Sequence, residues 1–340
     1  MNQYKYLWWL AENTKSSWWH DSADPQELDE ALRNGAVGVT TNPFLIQSTL
    51  NRNPEKWGKV YENCPSELAG DVRAEKLLSL TVAELASQIK PIYDETNGQQ
   101  GYACAQTNPL NQGDAEAMLE QARRYARIAP NVSIKLPACA AGLKAMEQCV
   151  AEGMCTTVTA SFTVAQALAI GEHYERGVKK AEENGIFPKP CFAVLMIGRL
   201  DDYIRDVAHD TGADVTEADI RLSGIAVAKR AYKLFGERNY KATIMPAGMR
   251  GAYHVTELAG ADMVFSTAPK IQSMLEEVKE PFGVGIDCPV DEEALARLLT
   301  IREFRRAYAV DGMDESEFLT YGATQRTLSQ FVEVGWSCIK

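Results

Sequence analysis

Eight times along the chain a short apolar or β-branched run is followed by a helical stretch, and that alternation constrains the fold more than any other feature. The strand-like runs centre near residues 18, 38, 103, 134, 157, 194, 243 and 264. Strands separated by helices run parallel, and eight such units is the number that closes a barrel. At 340 residues and 46% hydrophobic content the chain holds a barrel with additions. The expected architecture is therefore α/β, a single (β/α)8 TIM-type barrel over residues 1–340 with extra N- and C-terminal helices. The additions are an amphipathic helix over 1–16 with Trp8 and Trp9 against the body, a helical insertion over 45–97 and a helical extension over 286–340. No internal repeat or Gly/Ser-rich linker argues for a second domain.

The fourth strand carries a lysine inside a run that otherwise reads as buried. Val132, Ile134 and Leu136 share one parity and are apolar, whereas Ser133 and Lys135 share the other, and Pro137 ends the run. An ammonium is costly to bury, so a lysine in such a place readily becomes a free amine, the form that attacks a carbonyl to give a Schiff base. The plain alternative is an edge-strand lysine with its head in water.

Thirty-five Lys plus Arg against 46 Asp plus Glu give a formal charge of −11, with no basic cluster, so nucleic acid and anionic membrane are poor partners. A span of membrane length and a signal-peptide pattern are both lacking, which points to the cytoplasm. The eight Cys contain no CxxC pair and the four His are scattered, so we expect reduced thiols and no metal. The oligomeric state is left open, a homo-oligomer included.

In a parallel barrel, chemistry gathers at the carboxyl ends of the strands. There the sequence places Asp21, Asn42, Gln106, Lys135, Thr159, Arg199 and Arg250. Singly each has a structural explanation: Asp21 can cap a helix, Asn42 can form a turn before Pro43, and Thr159 suits a strand. Together, an amine, a carboxylate, amides, a hydroxyl and two guanidiniums suit carbonyl chemistry on an anionic substrate.

These residues resemble the transaldolase family. Thr40-Thr41-Asn42-Pro43 resembles its TTNP segment, Ile134-Lys135-Leu136-Pro137 its Schiff-base lysine strand, and Gly198-Arg199-Leu200-Asp201-Asp202 its GRxxD-type turn. Met245 to Arg250, and Phe265-Ser266 with Pro269-Lys270, resemble its last two strand ends, so that the likeness runs in order from about 17 to 280. The resemblance implies a cofactor-free transferase of carbohydrate metabolism, in the pentose phosphate pathway, acting on small sugar phosphates. It would move a dihydroxyacetone unit from a ketose of the sedoheptulose 7-phosphate or fructose 6-phosphate kind to an aldose phosphate. It implies Lys135 as nucleophile, Asp21 as the base for the C4 hydroxyl, and Thr159 with Gln106 around a catalytic water. Asn42 and Thr41 would bind the three-carbon unit, and Arg199 with Arg250 the phosphate.

Three departures from the family pattern matter. Gln106 stands where a transaldolase has glutamate; it can orient a water but not exchange a proton with it. In this it is similar to the fructose-6-phosphate aldolase branch, yet Met196 replaces that branch's tyrosine. Val194 and Gly248 replace serines near the anion, leaving fewer hydroxyl donors and admitting a sulfonate-bearing sugar as well as a phosphate. The alternatives are thus an aldolase, a transaldolase for sulfo-sugars, and a sugar-phosphate-binding protein of little activity. Mere binding, however, needs neither an amine nor a base.

Overall fold

A computed structural model describes residues 5–52 and 54–340. Eight parallel strands are present: β1 (Ser17–Asp21), β2 (Gly38–Thr40), β3 (Tyr102–Gln106), β4 (Val132–Pro137), β5 (Cys155–Thr159), β6 (Cys191–Leu195), β7 (Thr243–Pro246) and β8 (Val264–Thr267). Their order is β7-β6-β5-β4-β3-β2-β1-β8, and β7 and β8 meet across the seam, so the sheet is a nearly closed (β/α)8 barrel with additional helices.

Strand parity decides what fills it. In β4 all six residues are buried, but Ser133 bonds Thr157 of the neighbouring strand β5 at 2.8 Å, one polar group to another. The polar parity therefore faces the barrel axis and Val132, Ile134 and Leu136 face the helices. β4 lies between β3 and β5, in register Gln106↔Lys135 and Lys135↔Thr157, so Lys135 is no edge residue. The interior is layered. At the amino-terminal end the Trp19 and Phe192 rings meet edge to face, with centroids 4.5 Å apart. Gly38 makes room for them, because a Cβ there would lie 2.3 Å from the Trp19 ring. A polar middle layer of Cys104, Ser133, Cys155 and Thr157 follows, joined by hydroxyl and thiol bonds. The site forms the third layer.

Three expectations change. The amino-terminal helix spans Lys5–Asn13 and buries Tyr6, Leu7 and Leu10, while Trp8 is exposed and Trp9 packs partly, against Phe282. The helical spacing puts Leu7 and Leu10 on the inner face and turns Trp8 outward; residues 1–4 of the expected helix lie outside the described residues. The region 45–97 is not all insertion. Helix Gly70–Glu95 buries Leu78, Val82, Leu85 and Ile89 and packs along β3, as the outer helix between β2 and β3. Helices Pro43–Arg52 and Pro54–Glu62 are the added part. Finally, Gly198 to Asp202 is not a turn but the opening of helix Ile197–Thr211, whose Ile197, Leu200, Ile204 and Ala208 face the core.

The carboxyl-terminal extension, with helices Glu292–Leu298, Arg302–Tyr308, Glu315–Phe318 and Gly322–Glu333, packs on the outer helices around 164–238. Arg297 holds the buried Asp219 through a two-pronged bond, Nε at 2.9 Å and Nη2 at 2.7 Å. Helix Gly322–Glu333 then returns to the barrel mouth, where Gly335 lies against Phe44 and Pro43.

Candidate active site

A cavity of about 170 Å³ opens at the carboxyl ends of the strands. Its wall comes from one parity of the strands other than β3, whose Gln106 does not line it: Asp21 and Thr40, Lys135 and Thr159, Val194 and Met196, Met245 and Ala247, Ser266 and Ala268. Of the residues expected from sequence, Asp21, Asn42, Lys135, Thr159, Arg199 and Arg250 line it together. A wider groove of about 500 Å³ beside Asp71 and Trp336 contains none of them.

At the closed end, Lys135 is 6% exposed and its Nζ donates to the Thr41 carbonyl at 2.9 Å. Thr41 thus meets the lysine through its backbone, while its hydroxyl turns away to the Cys104 carbonyl at 2.8 Å. Asp21 accepts from the Thr40 hydroxyl at 2.8 Å, and that hydroxyl shares a 2.7 Å bond with Ser266, so one chain of bonds fixes the carboxylate. Removal from water pushes the Asp21 carboxyl upward from its ordinary value; Lys135, the Thr40 bond and Arg199 oppose that rise. Asn42 caps helix Pro43–Arg52 by accepting from the Leu45 amide at 3.0 Å, which leaves its NH2 for the cavity.

Gln106 is buried beside Lys135 in the ladder, and its Oε1 has no partner among the described residues. A buried amide oxygen in want of a donor suits an ordered water. Thr159 lies two residues beyond the partner of Lys135 on β5, and its hydroxyl is 3.9 Å from the Met196 sulfur.

The open end is assembled differently. Arg199 is half-buried in the first turn of helix Ile197–Thr211; its Nη1 donates to Gln330 Oε1 and its guanidinium lies 5.7 Å from the Phe331 ring centre. Burial, and then the positive Arg250, lower its proton affinity. Arg250 is exposed and already engaged. Its Nε reaches Asp202 Oδ2 at 2.7 Å, its Nη2 the same oxygen at 2.7 Å, and its Nη1 the Gly248 and Met249 carbonyls at 2.8 and 3.3 Å. Gly198 permits this packing, since a Cβ there would meet the Gly248 carbonyl at 2.4 Å.

Several residues at this end were not expected from sequence. The fully buried Asp201 accepts from Ser223, the Gly224 amide, Tyr253 and His254 at 2.9 to 3.0 Å. His254 Nδ1 in turn accepts from the Arg250 amide at 3.1 Å, so its Nε2 carries the proton toward Asp201. This pair anchors the loop bearing Arg250. Gln330 and Phe331 come from the carboxyl-terminal helix, far from Arg199 in sequence, with no local signal. Thr40 and Ser266 lay within segments singled out for other residues.

A nearly closed (β/α)8 barrel with a buried lysine and a carboxylate facing one cavity at its strand ends defines the class. Residues 18–317 match the family described as transaldolase/fructose-6-phosphate aldolase, and the chain belongs to that family. Curated relatives agree. The chain is 30% identical over 210 residues to transaldolase 1 of Streptomyces avermitilis, covering 59% of this chain and 54% of that protein. It is 26% identical to a transaldolase of Thiobacillus denitrificans, over 64% of this chain and 62% of the relative. With a probable transaldolase of Heliobacterium modesticaldum it shares 27% identity over 78% and 92%. The chain thus spans about half the length of the first of these relatives. Among the described residues, no helix is long and apolar enough to cross a membrane.

Proposed function

We propose that the chain is a transaldolase-type enzyme that carries a dihydroxyacetone unit on Lys135 from an anionic ketose, of the fructose 6-phosphate or sedoheptulose 7-phosphate kind, to an aldose. The observation that carries the reading is the shared cavity of Lys135 and Asp21, joined to family membership. The Lys135 amine adds to the C2 carbonyl, water leaves, and the protonated imine becomes the electron sink. Asp21 takes the C4 hydroxyl proton, the C3–C4 bonding pair moves into the imine, and the aldehyde departs. The enamine left on Lys135 then attacks the acceptor aldehyde, and hydrolysis frees the enzyme. A water held by Gln106 and Thr159 moves the protons of imine formation. Asn42, Thr40 and Ser266 supply polar contacts for the three-carbon unit, and Thr41 orients the lysine through its carbonyl.

Transfer and simple aldol cleavage differ in what removes the unit from Lys135. The methionine at 196 supports transfer, because its thioether offers no proton to the enamine while it lies against Thr159. Progress curves with fructose 6-phosphate, run with and without erythrose 4-phosphate, test the reading. We expect turnover that depends on the acceptor; indifference to it would favour the aldolase.

A further inference from the structure

The backbone just beyond β5 is held in a conformation that its own residue disfavours. Ala160 follows Thr159 with φ +56°, the left-handed region in which a β carbon crowds the backbone, and it is fully buried. Such a residue persists only where its surroundings over-determine it. Here the Ala138 amide donates to the Thr159 carbonyl at 2.7 Å. The Ala160 carbonyl accepts from Gln166 Nε2 at 3.3 Å and from the Thr324 hydroxyl of the carboxyl-terminal helix at 3.4 Å.

Gln166 stands in the first turn of helix Val164–Glu183, which Thr163 caps, and it is fully buried. Its amide makes every bond it can. Oε1 accepts from the Phe162 amide at 2.9 Å and the Thr163 hydroxyl at 3.2 Å, while Nε2 donates to the Ala138 carbonyl at 3.1 Å as well as to that of Ala160. Ala138 directly follows the lysine strand β4, and Ala160 directly follows Thr159. One side chain therefore joins the end of the strand bearing Lys135 to the end of the strand bearing Thr159. The Ser161 carbonyl accepts from the Met196 amide at 2.9 Å, which ties the end of β6 into the same turn.

Resting on the reading above, we propose that Gln166 is a positioning residue for imine formation: by fixing Ala138 and Ala160 it sets the Thr159 hydroxyl relative to the Lys135 amine, so that a water between them can carry the proton. Addition of the amine to C2 gives a carbinolamine. Its hydroxyl takes up a proton and leaves as water while the nitrogen pair forms the C=N bond, and hydrolysis reverses that step. Asp21 acts on the C4 hydroxyl from β1, which Gln166 does not touch. The brace therefore bears on making and hydrolysing the imine rather than on carbon–carbon cleavage.

The test compares the full chain with its Gln166→Met and Gln166→Glu variants. Dihydroxyacetone, quenched with borohydride over time, labels Lys135 without a cleavage step; single turnover of fructose 6-phosphate times the release of glyceraldehyde 3-phosphate from the imine. We expect Gln166→Met to slow labelling by about 10 to 100-fold, the scale of a misplaced reacting group, and to change release from the imine by less than about twofold. Gln166→Glu keeps the acceptor but, once ionised, offers no donor. Relative to the wild type at each pH, its labelling should be slow at about pH 8 and recover toward about pH 5.5, where the buried carboxyl is protonated and donates again. Ala160→Gly added to Gln166→Met should restore labelling several-fold, because glycine takes the positive φ unaided. Equal loss in both steps, unchanged labelling, or a double variant no faster than Gln166→Met overturns the proposal. If Gln166→Met does not fold, the pH response of Gln166→Glu decides, and a flat response overturns it. A wild-type chain that forms no adduct on Lys135 overturns the transaldolase reading as well, whereas an adduct without the split between steps rejects only the role of Gln166.

Discussion

The two ends of the cavity are built by different means. At the closed end the groups sit on or directly after strands whose register is fixed by ladders on both sides: Asp21, Thr40, Gln106, Lys135 and Thr159. At the open end they sit on a helix start, a loop and a returning carboxyl-terminal helix: Arg199, Arg250 and Gln330. Side chains on strands keep their positions unless the sheet changes, so the bond-making end is rigid. Those on loops and added helices can be exchanged without disturbing the sheet. On the proposed reading, chemistry and selectivity are physically separable here, and the predictions are ways to break that separation.

The largest effect should come from Lys135→Met, which removes the only amine in the cavity wall among the described residues and should leave turnover at background while the fold persists. Loss of folding instead would make Lys135 a structural residue. Next comes Asp21→Asn, which should still form the imine but lose cleavage by about 10² to 10⁴-fold. Stopped-flow trapping separates the two steps, and equal loss in both would reject the base assignment. The same substitution has a stability consequence. The folded state raises the Asp21 pKa, so it holds the proton better than the unfolded chain does, and stability falls as pH climbs from the unfolded value through the folded one. Asp21→Asn should therefore melt higher than the wild type at neutral pH, with the difference vanishing in acid; a lower melting point at neutral pH would contradict it.

Below these lies the floor of the barrel. Gly38→Ala forces a methyl into the Trp19 ring and should cost about 1 to 3 kcal/mol in urea unfolding, with any residual activity unchanged in its substrate preference. A shift in preference would show that the interior transmits strain to the open end. The smallest effect is expected from Gln106→Glu. A carboxylate can exchange a proton with the water that an amide only orients, so transfer to erythrose 4-phosphate should quicken a few-fold. No change would mean that the water is not limiting.

The same division explains what the sequence made legible. Val132, Ile134 and Leu136 alternate with Ser133 and Lys135 because one parity meets helices and the other the barrel axis, and that periodicity needs no knowledge of distant residues. Helix Ile197–Thr211 was hidden by its own polar residues. Gly198, Arg199, Asp201 and Asp202 interrupt its apolar spacing, and Asp201 can be buried only because Ser223, Tyr253 and His254 bond it from other segments. Gln330 and Phe331 reach Arg199 only after the extension has folded back, so no window of sequence joins them. Arg250 was legible as a cation at a strand end; that it pairs with Asp202, which Arg205 also holds, was not.

The central claim is that the bond-making end works through a covalent bond to one lysine. Borohydride reduction in the presence of fructose 6-phosphate, followed by peptide mass spectrometry, tests it most directly. The account predicts a reduced three-carbon adduct on the peptide carrying Lys135 and no labelling of Lys135→Met. A label on another lysine, such as Lys270 beyond the last strand, or no label while turnover proceeds, would contradict it.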